Sequence, residues 1–334
     1  MKRLLIILSV FLGITTNAVH AEPSLIPAPP ELAASSYILM DAYTGDILVS
    51  HNADEKLPPA SLTKLMTAYI TEYELARGDI SVDDKVTISE KAWRMKGSRT
   101  FVREGTRVPL MTLMQGMIVQ SGNDATVAIS EHIAGSESAF ADLMNQHAKL
   151  LGMKGSHFVN ATGYPADDHY STAHDIAIVA RATITQFPEN YPLYAEKYFT
   201  YNNIRQPNRN RLLWRDKSVD GLKTGHTEAA GFCLAASAVR NGTRLITVVM
   251  GTKSDAARAA EAQNLLDYGF RYYETRKLYS RGQVVNNATV WGGSQPTVKV
   301  GFAEDVLVTM PRQQGDSIPA TLDMQQEIIA PIAV

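Results

Sequence analysis

Two consecutive prolines leading into a helical repeat of apolar residues constrain this chain more than any other stretch: Pro58-Pro59-Ala60-Ser61-Leu62-Thr63-Lys64-Leu65-Met66-Thr67-Ala68-Tyr69-Ile70. Prolines cannot continue a strand ladder, yet they fit the first turn of a helix, where backbone N–H groups lack partners anyway. Leu62, Leu65, Met66, Tyr69 and Ile70 then recur at helical spacing, which predicts a core-facing helix. Ser61 and Lys64 are three residues apart, so one face of that helix start carries a hydroxyl beside an amine. A serine attacks poorly unless a neighbour takes its proton, and a lysine does so once burial or nearby cations lower its pKa. The positive end of the helix favours the developing alkoxide. Ser-x-x-Lys also occurs on many solvated helix faces, so the pair acquires meaning only from its surroundings.

The chain of 334 residues opens with Met1-Lys2-Arg3, an apolar run over 4–14 and small residues ending at Ala21. A basic start, a short apolar core and a small-residue cut site predict a secretory signal peptide over 1–21. The run is well short of the ~20 apolar residues of a membrane span. Export across the inner membrane to the periplasm or cell envelope is therefore expected. Residues 22–34, rich in proline, read as a linker. Hydrophobic content of 45% is ordinary for a chain with a proper core, and a net charge of −2 gives no support to nucleic acid as a partner. Cys233 is the only cysteine and lies in the apolar run Phe232-Cys233-Leu234-Ala235-Ala236, so it reads as a buried inert thiol. His169, His174, Asp167, Asp168 and Asp175 crowd together, but loop chemistry and helix capping account for them; no metal and no cofactor is expected.

Residues 37–41 and 46–50 flank Ala42-Tyr43-Thr44-Gly45 as a hairpin. Helices are expected over 110–118, from near Asp124, over 136–151 and over 172–187, the last capped by Ser171 or Thr172. After Pro188 the pattern turns to β: a strand at 199–202, a polar loop at 205–210, and strands at 219–224, 231–239 and 243–250. Asn241-Gly242 marks a tight turn between the last two. An amphipathic helix follows over 256–273. Strands at both ends with helices between predict an α+β fold over 35–277, an antiparallel sheet flanked by helices with a helical lobe. Short valine-rich runs over 278–334 predict a small β domain.

Two later stretches give the Ser61–Lys64 pair its context. Ser121-Gly122-Asn123 falls between two helices, where a short turn presents a hydroxyl and a carboxamide. Lys223-Thr224-Gly225 lies on a strand, with a glycine where a ligand can approach the backbone, which suits a peptide ending in a carboxylate. The three motifs in this order, on helix, turn and strand, are the pattern of penicillin-binding proteins and class A β-lactamases. Together with Gln120 through Ala125, Asn208-Arg209-Asn210, Leu213-Trp214, Val219 through Thr227 and Leu265 through Phe270, they resemble the low-molecular-mass penicillin-binding proteins that act as D-alanyl-D-alanine carboxypeptidases. The resemblance covers about residues 35–273 and continues weakly to the end.

The resemblance implies a DD-peptidase/β-lactamase-like fold, a peptidoglycan stem peptide ending in D-Ala-D-Ala as substrate, and covalent inhibition by β-lactams. Position by position, it makes Ser61 the acylated nucleophile, Lys64 its proton acceptor, and Ser121 the relay to the leaving D-alanine. Asn123 hydrogen-bonds the substrate backbone, Lys223 sets the positive field, and Thr224 holds the terminal carboxylate. The oxyanion hole falls to the backbone N–H of Ser61 and that of His226, next to Gly225. Arg209 matches a family arginine near the substrate, with a loop-fixing ion pair as its structural alternative. Where many relatives carry Gly-Arg this chain has Thr252-Lys253, so Lys253 is a candidate binder that keeps the charge but loses the guanidinium fork. In the family the second domain continues through more strands to an amphipathic helix on the membrane. Here 327–332 matches a mid-domain strand, so an incomplete small domain and no membrane anchor in this chain are expected. A class A β-lactamase needs a glutamate between the second and third motifs, and 154–175 contains none. A D,D-endopeptidase, with identical chemistry, and a low-turnover cell-shape factor are the alternatives.

Overall fold

The structure, a computed structural model, describes residues 26–313, 321, 323 and 327–330; the expected signal peptide lies outside them. Strand β1 (Ser36–Asp41) is buried along its whole length, as a strand must be when both faces of its sheet are covered. β2 (Ile47–His51) folds back on it antiparallel through a turn ending at Gly45. Beyond Pro59, residues Ala60–Thr63 form a tight 3₁₀ turn that runs directly into α1 (Lys64–Arg77). Ser61 thus sits in the turn ahead of the α-helix, and Lys64 is the first α-helical residue. α1 ends at Gly78, whose φ of 77° supplies the left-handed cap.

A helical lobe follows. β3 (Lys85–Thr87), α2 (Glu90–Trp93) and β4 (Arg107–Pro109) lead into α3 (Leu110–Val119), α4 (Asn123–Ala134) and α5 (Glu137–Leu151). The caps are side-chain oxygens: Ser89 for α2 and Ser136 for α5. In α6 (Ala173–Gln186) the cap is Thr172, whose Oγ1 accepts from the Asp175 N–H, while Ser171 pairs with Ser156 instead. β5 (Tyr198–Tyr201) and β6 (Ile204–Pro207) form a hairpin, so part of the stretch expected as a polar loop is a strand. The signal is Asn202-Asn203, both at positive φ, the conformation that two-residue hairpin turns demand.

After α7 (Leu212–Arg215) come β7 (Val219–Thr227), β8 (Gly231–Arg240) and β9 (Thr243–Thr252), then α8 (Asp255–Tyr272). Asn241 and Gly242 turn β8 into β9 with φ of 52° and 83°. The main sheet has the order β2-β1-β9-β8-β7, all antiparallel, which leaves β7 as an edge. Alternation along β1 divides the core: Ile38 and Met40 face α1, α3, α4 and α6, whereas Tyr37 and Leu39 face α8. Gly269 lets α8 lie flat on the sheet, because a Cβ there would sit 2.5 Å from Leu245 Cδ1. The fold is the expected α+β sheet flanked by helices with a helical lobe, followed by a C-terminal β region. There β10 (Tyr273–Tyr279), β11 (Val284–Trp291), β12 (Thr297–Gly301), β13 (Val306–Pro311) and β14 (Glu327–Ile329) form the pairs β10-β13, β11-β12 and β11-β14. The boundary read at 277/278 falls inside β10.

α1 also buries Glu72. Its Oε2 accepts from Asn190 Nδ2 at 2.6 Å, while Oε1 and the buried hydroxyl of Tyr194 have no partner among the described residues. Burial, with Glu189 adding to it against the Asn190 bond, pushes the Glu72 carboxyl up to about 7. A folded state that holds this proton more tightly than the unfolded chain gains stability that is complete below about pH 4.5 and lost as pH rises to about 7. Glu72→Gln keeps an acceptor for Asn190 and removes the titration. Its melting temperature is expected to exceed that of wild type at alkaline pH, by the equivalent of up to ~3 kcal/mol, and to converge with it in acid. A variant less stable than wild type at alkaline pH contradicts this account.

Candidate active site

The turn carrying Ser61 is held under local strain: Ala60, directly before it, has φ of 47°, a left-handed value unusual for alanine. The loop 158–165 closes on this turn because residue 163 is glycine. A Cβ at Gly163 would lie 1.7 Å from the Ala60 carbonyl oxygen. That closure brings the Thr162 carbonyl to α1, where Lys64 Nζ donates to it at 2.7 Å.

Lys64 is almost wholly buried, and its Nζ lies 2.9 Å from Ser61 Oγ and 2.7 Å from Asn123 Oδ1. Burial first, and Arg209 second, lower its pKa to about 7 against the opposing pull of Asp124 and Glu137. The geometry then fixes which atom faces the serine. Thr162 O and the oxygen of Asn123 are pure acceptors, so they take the two N–H groups of the neutral amine. The lone pair is left pointing at the Ser61 hydroxyl.

Asn123 is oriented from both ends. Its Nδ2 donates to Lys96 O at 2.6 Å and its backbone N–H to Ser98 O at 2.7 Å, so Oδ1 must face Lys64. The 96–102 loop that supplies those carbonyls is itself anchored by Asp124. The buried carboxylate of Asp124 accepts the backbone N–H groups of Thr100, Phe101 and Val102. Ser121 is buried at φ of 67°, and its hydroxyl has no partner among the described residues.

The third wall is edge strand β7. Gly225 lets it approach the Ser61 turn: a Cβ there would meet Pro59 O at 3.0 Å and Leu62 N at 3.3 Å. Thr224 and Lys223 are buried, and Lys223 Nζ donates to Thr224 O at 3.1 Å. Burial, then the charges of Lys64, Arg209 and Arg258, lower the pKa of Lys223 well below the ordinary lysine value. His226 is exposed, its ring 3.9 Å from that of Phe232.

A cleft of about 900 Å³ runs between these walls, lined by Ser61, Ser121, Asn123, Arg209, Thr224, Gly225 and His226 among others. Arg209 makes no ion pair or hydrogen bond among the described residues. The loop-fixing ion pair on that segment belongs to Arg211, which meets Asp255. Lys253 is exposed and is not among the residues lining the cleft. The cation there is one the sequence reading passed over, Arg258, which is buried and donates from Nη1 to Gly225 O at 2.9 Å. A readable signal existed: Arg258 stands in the first turn of α8, where a cation opposes the helix dipole and needs a specific reason. The crowded histidines and aspartates serve local structure. Asp175 accepts from Gly155 N and Ser156 Oγ, His174 pairs with Asp54, and Asp168 O contacts His157. Cys233 is buried, and burial pushes its thiol up to about 11.

A buried amine within reach of a serine on a strained turn, a hydroxyl opposite with no partner among the described residues, an open strand edge and a surplus of cations suit acyl transfer on a peptide with a terminal carboxylate. Comparison with known proteins gives the same direction. The family model described as D-alanyl-D-alanine carboxypeptidase matches residues 24–254, and that of the penicillin-binding protein 5 C-terminal domain matches 273–334. The chain is 41% identical over 328 residues to D-alanyl-D-alanine carboxypeptidase DacA of Escherichia coli K12, covering 95% of this chain and 81% of the relative. It is 37% identical to DacF of Bacillus subtilis, covering 90% and 78%. Penicillin-binding protein 5 from Haemophilus influenzae superposes with a TM-score of 0.85 at 40% identity, covering 92% of this chain and 91% of that one. Penicillin-binding protein D2 from Listeria monocytogenes, in its ampicillin-bound form, gives 0.67 at 29% identity, covering 72% and 100%.

If neutral Lys64 is the base, acylation of Ser61 by an activated acyl donor rises with pH through about 7 and levels off above it. Lys64→Arg keeps the charge but cannot become neutral, and is expected to lose at least about a hundredfold in acylation rate. Stopped-flow acylation across pH checks both; a wild-type-like Lys64→Arg would place the base elsewhere.

Proposed function

The chain belongs to the D-alanyl-D-alanine carboxypeptidase family, and from that premise we propose that it removes the terminal D-alanine of peptidoglycan pentapeptides through an acyl-enzyme on Ser61. It is a serine-type DD-carboxypeptidase. The single observation that carries the residue assignment is the buried Lys64 amine, 2.9 Å from Ser61 Oγ with its other two contacts on oxygen acceptors.

Ser61 Oγ attacks the carbonyl of the penultimate D-alanine while its proton passes to Lys64. The oxyanion is held by the backbone N–H groups of Ser61 and His226. Ser121, poised with a free hydroxyl, relays a proton to the departing amine as the C–N bond breaks. Water then adds to the ester, with Lys64 again taking the proton, and Ser61 is released. The peptide lies along β7 with its carboxylate at Thr224, in the field of Lys223, Arg209 and Arg258. Asn123 spends its oxygen on Lys64 and one N–H on Lys96, which leaves its second amide N–H for the substrate backbone. Lys253 has no part in this arrangement.

β-Lactams are the expected covalent inhibitors, supported by the ampicillin-bound Listeria neighbour. The relatives are bacterial D-alanyl-D-alanine carboxypeptidases and penicillin-binding proteins, and the working place proposed for this chain is the periplasm or cell envelope. The same reading divides the chain into a catalytic domain from about residue 35 and a small β domain that starts with β10 rather than at the expected 277/278 boundary.

Fluorescent penicillin is expected to label the wild-type protein and not Ser61→Ala. With a D-Ala-D-Ala pentapeptide the wild type should release free D-alanine, while a cross-linked muropeptide stays intact. Label retained in Ser61→Ala removes the nucleophile assignment. Cleavage of the muropeptide alone points to an endopeptidase, and turnover of neither substrate to a binding factor.

A further inference from the structure

His169 sits at the base of the 158–165 loop and plays no part in the chemistry above. It is 5% exposed, with its ring edge-on to Phe158 at 5.7 Å. Its two nitrogens have separate partners. The Val159 backbone N–H donates to Nδ1 at 3.1 Å, so Nδ1 carries no proton. Nε2 therefore holds the hydrogen and donates to Thr63 Oγ1 at 2.8 Å. Thr63 belongs to the turn that carries Ser61 and directly precedes Lys64. A single neutral ring thus ties the start of the loop to that turn. A few residues further on, the same loop delivers the Thr162 carbonyl to Lys64, and Ala161 O accepts from Thr67 Oγ1 at 2.7 Å.

We propose that His169 is a positioning residue for the Ser61–Lys64 pair, clamping the 158–165 loop onto the Ser61 turn through one tautomer of its neutral ring. The proposal rests on the reading of Ser61 and Lys64 as nucleophile and base. With the clamp closed, Lys64 is shielded from water and one of its hydrogens is held on Thr162, which keeps the lone pair on the serine. With the clamp open, water reaches Lys64, and burial is the main reason its pKa is low. Protonating His169 opens the clamp, because a hydrogen at Nδ1 would confront the Val159 N–H. The charged and titratable groups facing the ring and its loop are Lys64 of α1, His157 of the loop's own approach, and Glu137 of α5, whose Oε1 accepts from Ala161 N. Burial, then His157 and Lys64, lower the His169 pKa to about 4 from 6.5. A depressed histidine binds its proton less tightly folded than unfolded, so its contribution is present above pH 6.5 and lost as pH falls toward 4.

A glutamine amide spans the same two partners, its oxygen accepting from Val159 and its nitrogen donating to Thr63, and does not titrate. Wild type, His169→Gln, His169→Ala and Thr63→Val are compared by their acylation rates with fluorescent penicillin across pH and by their melting temperatures. His169→Gln is expected within about twofold of wild type, and the other two variants on the order of tenfold slower. In the slowed variants the midpoint of the pH–rate profile should move upward, because water reaches Lys64. Relative to wild type, His169→Gln should gain melting temperature between about pH 8 and about pH 4.5. Wild-type rates and midpoint in His169→Ala or Thr63→Val, no rescue by glutamine, or a melting difference that ignores pH would each overturn the proposal. A wild-type protein that takes no label overturns the Ser61 assignment itself, and this role with it.

Discussion

A lysine amine in water is protonated at neutral pH and cannot accept a proton from serine. The rest of this site follows from the way the fold removes that obstacle. Lys64 is buried at the first α-helical position after the Ser61 turn, and the charges that act on it are the Arg209 guanidinium and, opposing it, the carboxylates of Asp124 and Glu137. Asp124 does not pair with it. That carboxylate is turned onto the backbone N–H groups of the 96–102 loop, which keeps its charge from restoring the ammonium at close range. The carboxylate with the strongest opposing pull on Lys64 is engaged in building the wall beside it.

The same economy governs the loops. Two irregular segments, 96–102 and 158–165, contribute to the site mainly through backbone carbonyls: Lys96 and Ser98 orient Asn123, and Thr162 holds Lys64. Carbonyl oxygens cannot donate, so they fix the direction of the hydrogens they receive and thereby the tautomer-like choice of where the lysine lone pair points. Such loops must be placed to within tenths of an ångström. Glycine at 163 permits the close approach, and buried side chains on either side, Asp124 and His169, hold the loops in register.

Sequence order made the three motifs legible because each is short, local and chemically distinctive. Period and turn chemistry likewise gave the antiparallel strands 219–250 and the helices 136–151 and 172–187 nearly to the residue. What sequence hid was contact at a distance. Lys253 follows the strand where a cation was sought, but its side chain leaves the cleft; Arg258, one helical turn into α8, comes back under Gly225. Nothing in the local pattern says that Thr162 will offer its carbonyl to a lysine 98 positions earlier, because a backbone oxygen has no sequence signature. Asp124 reads as an ordinary first-turn acid of α4 until the loop it gathers is seen. In the hairpin at 198–207 the strand expected at 199–202 is present as β5, while β6 hides in the expected polar loop, because polar residues fill it and its only marker is a pair of asparagines at positive φ.

The cation surplus of the cleft has a further consequence for how reaction and binding are joined. Burial first, and the charge of Arg209 second, make charging Lys64 costly, and burial together with Lys64, Arg209 and Arg258 does the same to Lys223. On the proposed reading, a carboxylate seated at Thr224 opposes that effect, since an opposite charge nearby favours the protonated amine. In the proposed mechanism the ammonium formed as Ser61 attacks is stabilised by the anion that brought the substrate in. On the proposed mechanism a ligand without that carboxylate meets the same geometry but lacks that stabilisation, which couples recognition of the chain end to activation of Ser61.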